Sequence, residues 1–429
     1  MIEELRKFLK YGKEKADFVE ISLDKIEKDE LSVENNKLKS ASYSDIKHVL
    51  VRTWIDGKLG VAVSNALDKN VIDNAINCAK NSVKKEFFYG LPNKQKYGKI
   101  KNIYDKEVEE CGEKLSGILN VFLAQFDNRK AFVSEAQASA GVVHSFLVNS
   151  EGIEADEKSS FIDLDAGCVA KGNEDSSVSD SISSRKFFKL NDVESFGQSL
   201  CEETELFLKC EKLKKFEIPK IVVLQEHALN NILEDAFLEN FNAENLIKES
   251  SILKGKENTE IASKDFNLID DGLLEGGMGS GSFDSEGTAC RRNGLVEKGI
   301  LKNFIYDYNS AVHLKKQPTG NASADSIDFN NILISPGNKE IESEIDNAII
   351  IKNVIGTHTA NSFTTDFSVN SNLSYYLKNG NKIPLKNFMI SGNFLNMLKN
   401  IELIGKKIIV KGDFYTPAIA FNSVNVTSY

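Results

Sequence analysis

Histidine is scarce in this chain of 429 residues: there are five, His48, His144, His227, His313 and His358. No two stand at the spacing that puts metal ligands on one helical face, and no HExxH pattern occurs. Cysteine is equally thin, with Cys78, Cys111, Cys168, Cys201, Cys210 and Cys290 at irregular intervals and no CxxC pair. These absences leave no local zinc or redox motif and predict reduced, mostly buried thiols. Long apolar runs are missing too. Nothing approaches the ~20 residues that cross a bilayer. The amphipathic segment "MIEELRKFLKYGKEKADF", with Ile2, Leu5, Phe8 and Leu9 on one side, lacks the unbroken apolar core of a signal peptide, so a cytoplasmic location is expected. Excess positive charge is also absent. Lys and Arg number 53 against 63 Asp and Glu, for a net charge of −10 and a pI near 5.3. The short basic runs "EKLKKF" and "HLKK" are interleaved with acids and read as solvated faces. Neither nucleic acid nor a membrane is an expected partner.

What is present is an ordinary soluble composition, 41% hydrophobic and 27% charged, in a chain long enough for two or three domains. In "HVLVRTWIDGKLGVAVS" two β-type runs flank Asp56-Gly57, a hairpin signal because the turn needs φ > 0. In "DKNVIDNAINCAKNSVKK", Asp68 is placed to cap a helix whose apolar stripe is Val71, Ile72, Ala75, Ile76 and Ala79. A Lys-rich stretch from about Glu86 to Tyr104 reads as a linker. The segment "KEVEECGEKLSGILNVFLAQF" reads as one helix, Asn149-Ser150-Glu151-Gly152 as a turn, and "KGNEDSSVSDSISS" as an exposed loop. "DVESFGQSLCEETELFLKCEKL" returns to helical spacing, and charged "EKLKKFEIPK" marks a boundary near residue 215.

The second half opens with a short buried strand, "KIVVL", and a helix from about Ala228 to Ile247. Strands then dominate, with glycine-turned hairpins at "GLVEKGILKNFIYD" and "LSYYLKNGNKIPLKNF". A late helix, "NFLNMLKNIELIG", and a last strand, "IAFNSVNVTS", follow. Strands and helices do not alternate regularly, which argues against a doubly wound parallel fold. The expected class is α+β: an N-terminal region of mixed sheet and helices, then a larger, strand-rich, antiparallel C-terminal domain with a core helix. The regions are drawn at 1–88, 105–212 and 216–429.

The stretch "GGMGSGSFDSEG" has the glycine density of a phosphate loop. A dinucleotide fingerprint, however, needs GxGxxG opening into a helix, and here Asp284 and Glu286 follow and would repel phosphate. The glycines are better explained by close backbone approach and φ > 0, in an irregular loop that leads into a sheet and lines a groove. Two further loops, "KQPTGNASAD" and "IGTHTANSFTTDFSV", combine Gly with Asn, Thr, Ser and Asp between strands. Each can be an ordinary turn, but three together point to a shared groove able to hydrogen-bond an extended peptide. His358 in "GTHTAN" has neither a nucleophile nor a metal partner visible from spacing, and no GxSxG elbow is present. On the helix after "KIVVL", Glu234, Asp235 and Glu239 read as a solvated face, with a hard-cation site as the sharper alternative.

Taken together, "LLEGGMGSGSFDSEGTACRRNGLVEKGILKNFIYDYNSA", "PTGNA" and "GTHTANSFTTDFSV" resemble the C-terminal part of the TldD/PmbA family, in which PmbA is also called TldE. "KLKSASYSDIKHVLVRTWIDGKLGVAVSNALDKNVIDNAINCAKNS" is similar to that family's first domain, and "SFLVNSEGIEADEKSS" to its middle region. The resemblance implies a cytoplasmic proteolytic system acting on unfolded or extended peptides, in which a TldD-type subunit with a helical His-Glu…His zinc site pairs with a PmbA-type subunit. Zinc there activates water and polarises the carbonyl. This chain departs at the decisive helix: "EDAFLE", Glu234 to Glu239, stands where the histidines belong, and no cysteine follows Cys290.

The expectation is therefore a metal-free PmbA/TldE-type subunit, in a heterodimer with a zinc-bearing TldD-type paralogue or in a homodimer. It has no catalytic residue of its own. Gly279, Asp284, Glu286, Thr319, Asn321, His358, Asn361 and Asp366 are its groove or interface residues. Two alternatives stay open. One is a self-sufficient hydrolase using a serine nucleophile or a site of Glu234, Glu239 and His358. The other is a peptide-binding modulator without proteolysis.

Overall fold

The computed structural model describes residues 1–213, 218–324, 326–386 and 388–428, so the boundary expected near residue 215 lies outside the described residues. Two sheets organise the chain. The first comprises β1 (Phe18–Glu34), β2 (Lys37–Ile55), β3 (Lys58–Ser64), β4 (Ala131–Asn149), β5 (Glu154–Ala170) and β6 (Ser176–Ser184), in the order β3-β2-β1-β4-β5-β6. All its pairings are antiparallel. The regions drawn at 1–88 and 105–212 thus share one continuous sheet through the β1–β4 pairing. The segment "KGNEDSSVSDSISS" is corrected here. Most of it is edge strand β6, because Val178 and Ile182 alternate inward while the serines between them face out.

Helix α1 (Ile2–Lys13) and helix α2 (Lys69–Asn81) cover one half of one face of this sheet. Asp68 Oδ1 caps α2 by accepting from the Val71 N–H at 3.1 Å, and the five apolar residues of the predicted stripe are all buried. Burying Val71, Ile72 and Ile76 contributes roughly 1.5–3 kcal/mol each. The β2–β3 turn puts Asp56 and Gly57 at φ 52° and 74°, the left-handed pair that a two-residue hairpin needs. The single helix expected after residue 106 is instead two, α3 (Lys106–Glu109) and α4 (Lys114–Ala124), separated at Gly112 with φ 41°. With α5 (Leu190–Leu206), α4 covers the rest of that face.

The second sheet holds β7 (Glu211–Lys212), β8 (Ile221–Leu224), β9 (Leu268–Asp271), β10 (Arg292–Glu297), β11 (Ile300–Leu301), β12 (Ile332–Ile334), β13 (Ala348–Ile355), β14 (Asp366–Lys378), β15 (Asn381–Lys386), β16 (Phe388–Asn393), β17 (Ile401–Lys411), β18 (Phe414–Phe421) and β19 (Asn425–Ser428). Most pairings are antiparallel, but β12–β18, β8–β13 and β7–β15 are parallel. The expected last strand is two, β18 and β19, and "IELIG" opens β17 rather than ending a helix. The class is α+β, as expected.

The long helix expected over Ala228 to Ile247 is also corrected. Helix α6 (Glu226–Ala236) stops at Phe237, a 3-10 turn covers Leu238–Phe241, and a short helix resumes at Ala243–Ile247. Asn240 donates to the Phe237 carbonyl at 3.1 Å, and Asn242 Oδ1 caps the next helix at the Glu244 N–H at 2.8 Å. Such local side-chain bonds compete with helical ones.

Candidate functional site

The uncovered face of the first sheet turns toward the C-terminal half. Because side chains alternate along strands, register decides its chemistry. Leu31, Ala138, Leu164 and Ile182 form one cross-strand row on the helix-covered face. The next residues, Glu30, Ser139, Asp163 and Ser183, and then Ser32, Gln137, Asp165 and Ser181, form rows on the other face. Partial burial pushes the Asp163 carboxyl up, and partial desolvation with the Asp163 charge moves the more exposed Asp165 the same way. A cavity of about 690 Å³ opens over the second of these rows, with His227 and Asn231 of α6 and Asn353 of β13 also lining it. His227 Nε2 lies 2.8 Å from Asp180 Oδ1, and the Lys411 ammonium binds the same oxygen.

The glycine-rich loop between β9 and β10 is the seam between the two halves. Its backbone is gripped from the first sheet. The Ser282 N–H donates to both Glu157 carboxylate oxygens at 3.0 and 3.1 Å, Arg185 donates to the Gly277 carbonyl, and Arg52 Nη2 donates to the Ser285 carbonyl at 2.5 Å. Gly279 is obligatory here. A Cβ on it would sit 2.1 Å from the Asn330 carbonyl oxygen, while its N–H donates to Asn331 Oδ1 at 2.9 Å. The stretch is a packed seam of backbone against backbone, not a phosphate cradle.

Five of the predicted residues gather at this seam. Asp284, buried, accepts from the N–H groups of Glu286, Thr288 and Ala322 at 3.0, 2.8 and 3.0 Å, tying its own loop to the one carrying Asn321. Burial pushes its pKa up to about 7 against those donors. Glu286 accepts from the Tyr308 N–H at 2.9 Å. Burial, and then the nearby Asp307 and Asp284 charges, drive it well above the usual carboxylate range. Thr319 is buried, with its hydroxyl between the N–H and carbonyl of Tyr306 at 2.7 and 3.0 Å. Asn321 donates to Asp270 Oδ2 at 2.8 Å, in a buried knot with Asn293 and Asn330. The polar atoms of Thr319 and Asn321 are engaged inside the protein.

His358 and Asn361 on the β13–β14 connection and Asp366 at the start of β14 lie apart from these five and are exposed. The Asn361 N–H donates to the Asp366 carbonyl at 2.8 Å. The Asp366 carboxylate accepts from Asn393 at 2.8 Å, which holds its pKa low. The segment after α6 reaches the backbone near both groups: Asn240 donates to the Ser362 carbonyl at 2.7 Å and Asn242 to the Ile327 carbonyl at 3.2 Å. Glu234 and Glu239 are separated by the end of α6, and Glu239 Oε2 accepts from Asn245 at 3.0 Å. Among the described residues, no group of three or more His, Cys, Asp or Glu side chains is arranged to hold a metal ion.

The sequence reading missed Glu20, Arg52 and Asp307. Glu20 and Arg52 face each other across β1 and β2, joined at 2.7 Å and both nearly excluded from solvent. The available signal was a lone acid in "DFVEISL" and a lone base in "VLVRTWI". A charge inside an apolar strand is retained only when it is paired. The expected linker crosses the seam as well: Tyr97 donates to the Gly287 carbonyl and Gln95 accepts from the Ala289 N–H. The cysteines are free, four of them buried, with Cys210 part-buried and Cys78 exposed.

Comparison with known proteins gives consistent results. A family model described as the PmbA/TldA metallopeptidase C-terminal domain matches residues 220–428, and one described as PmbA/TldA metallopeptidase domain 1 matches residues 19–84. A protein of Methanocaldococcus jannaschii is 29% identical, the match covering 97% of this chain and 98% of the relative. A metalloprotease of the same organism is 23% identical over 94% of this chain and 92% of the relative. The crystal structure of TldE from Thermococcus kodakarensis superposes with a TM-score of 0.90 at 24% identity, covering 99% of this chain and 100% of that one, which shows the same fold. A putative modulator of DNA gyrase from Thermotoga maritima does so with a TM-score of 0.87 at 22% identity, covering 99% of each chain. With both domain models matched in order, the chain belongs to the PmbA/TldD metallopeptidase family.

Proposed function

We propose that this chain is the PmbA/TldE-type component of a TldD/TldE-type proteolytic system. It pairs in the cytoplasm with a zinc-bearing TldD-type paralogue and shapes the channel for unfolded or extended peptides. The observation that carries this reading is the chemistry of α6. Zinc is held by imidazole, thiolate or carboxylate groups in a near-tetrahedral array. In the stretch where the resemblance would place the His-Glu…His set, Glu234, Asp235 and Glu239 supply no imidazole, and the helix ends between the first and last of them. These residues do not fit the ion, so no bond-breaking step is assigned to this chain.

The hydroxyl and amide rows of the first sheet support a channel role. They offer donors and acceptors to an extended backbone beside Asn231 and Asn353. In this reading Gly279, Asp284, Thr319 and Asn321 hold the channel's loops in place, and Glu286 faces a second cavity. His358, Asn361 and Asp366 meet the partner or the peptide. The test is peptide cleavage by this chain, by a TldD-type paralogue, and by the two mixed. Cleavage greatest in the mixture supports the proposal; cleavage by this chain alone contradicts it. Peptide binding with no gain in cleavage would point to a non-proteolytic modulator.

A further inference from the structure

The seam holds a second cavity, of about 490 Å³, far along the first sheet from the one at α6. Its apolar wall is Trp54, Leu59, Val61 and Phe88. The Trp54 and Phe88 rings are stacked with centroids 5.0 Å apart and planes 11° from parallel. On the polar side stand Glu286 and Asp307. Each commits one carboxylate oxygen to a backbone N–H, Glu286 Oε2 to Tyr308 at 2.9 Å and Asp307 Oδ1 to Ser310 at 2.7 Å. Among the described residues neither is in an ion pair, and beyond these N–H groups the only further donor to either carboxylate is the Ser310 side chain at Asp307.

The base nearest to them is already engaged. Arg52 gives Nε to Glu20 and its Nη groups to the Ser285 and Ala324 carbonyls. At the mouth, Lys248 is paired with Glu244 at 2.7 Å, and Lys85 and Glu86 line it together, so the mouth carries no net charge. The charge behind the lining does not cancel. Glu20, 2% exposed, is paired with Arg52 but keeps Oε2 buried with no hydrogen-bond partner, and buried Asp284 stands near the lining carboxyls Glu286 and Asp307. A mostly buried cluster with this acid excess must either take up protons or receive a cation. An aromatic wall opposite carboxylates suits a cation attached to an apolar body, since ring faces attract positive charge and cover hydrocarbon.

We propose that this cavity binds an organic ammonium or guanidinium group carried on an apolar body, with Glu286 and Asp307 receiving the cation and Trp54, Leu59, Val61 and Phe88 the body. The site does not depend on the channel reading above. The same chemistry could be carried by a free small amine or by a peptide's N-terminal residue, and the test separates them. Trp54 is the only tryptophan in the chain, so its fluorescence reports on this cavity directly. The full-length protein is titrated with phenethylamine, with uncharged 2-phenylethanol, and with a short Phe-first peptide bearing a free or an acetylated N-terminus. Calorimetry is run in parallel.

The expected result is saturable binding of phenethylamine and none of 2-phenylethanol at matched concentration. Glu286→Gln, which keeps the acceptor for the Tyr308 N–H, should weaken phenethylamine binding about tenfold or more with the circular dichroism unchanged. Binding of the free-amine peptide but not its acetylated form assigns the site to peptide N-termini; binding of phenethylamine alone assigns it to small amines. No saturable response to phenethylamine by either method, or equal response to the alcohol, overturns the proposal. So does unchanged affinity in Glu286→Gln combined with Asp307→Asn.

Discussion

His227 Nε2 and Asp180 Oδ1, 2.8 Å apart, fasten the first turn of α6 to the edge strand of the first sheet. Burial of Asp180 opposes its ionisation, but the hydrogen bond from His227 and the Lys411 ammonium overcome it and hold the carboxyl well below its usual range. A depressed carboxyl contributes stability that is full above its unfolded pKa of about 3.9 and fades as pH falls through the folded value. Asp180→Asn should therefore cost about 1–3 kcal/mol at neutral pH. Urea denaturation at pH 7 measures it, and an unchanged midpoint would remove the fastening from the account.

The seam carboxyls have the opposite sign. A group with a raised folded pKa binds more protons folded than unfolded, so stability falls as pH rises between the two values. For Asp284 that window runs from about 4 to about 7, and Glu286 moves the same way. Glu20 and Asp307, whose carboxyls burial also pushes up, face the same cluster, and Arg52 beside them stays charged throughout this range. Glu286→Gln should flatten the decline and raise stability at pH 7, by up to about 1.4 kcal/mol for every pH unit over which its slope disappears. Denaturation midpoints taken across pH 4 to 8 show whether the slope changes.

Gly279→Ala forces a methyl group onto the Asn330 carbonyl, a backbone atom that cannot swing away. Overpacking of this kind costs about 1–3 kcal/mol or more. The melting temperature should drop accordingly, and a wild-type melting temperature would mean the loop is slacker than described.

Alanine at His358, Asn361 and Asp366 together should behave differently. These residues are exposed, so stability should change only by about 0.5 kcal/mol for each substitution. Cleavage by the mixed complex should fall sharply. Retained activity with retained stability would remove this connection from the channel or interface.

How much of this was legible beforehand varied with the range of the interaction. Local chemistry was readable: the Asp68 cap, the Asp56-Gly57 turn, the α2 stripe and the Asn149 to Gly152 turn all depend on neighbours a few positions away. Strand β6 was not, because a serine-rich segment becomes a strand only when β5 supplies its hydrogen bonds. The break in α6 was hidden because Asn240 and Asn242 act on backbone that a helical pattern alone would have claimed. At the candidate site, the residue types of the glycine loop were visible, but its grip by Glu157, Arg185 and Arg52 was not. Those partners lie roughly a hundred positions or more away in the chain.

The central claim is that this chain holds no zinc and works beside a chain that does. Elemental analysis of the protein, purified alone and after incubation with zinc and desalting, tests it most directly. The account predicts zinc far below one ion per chain in both samples. Stoichiometric zinc that survives desalting would contradict it and make this chain a metallopeptidase with a ligand set of its own.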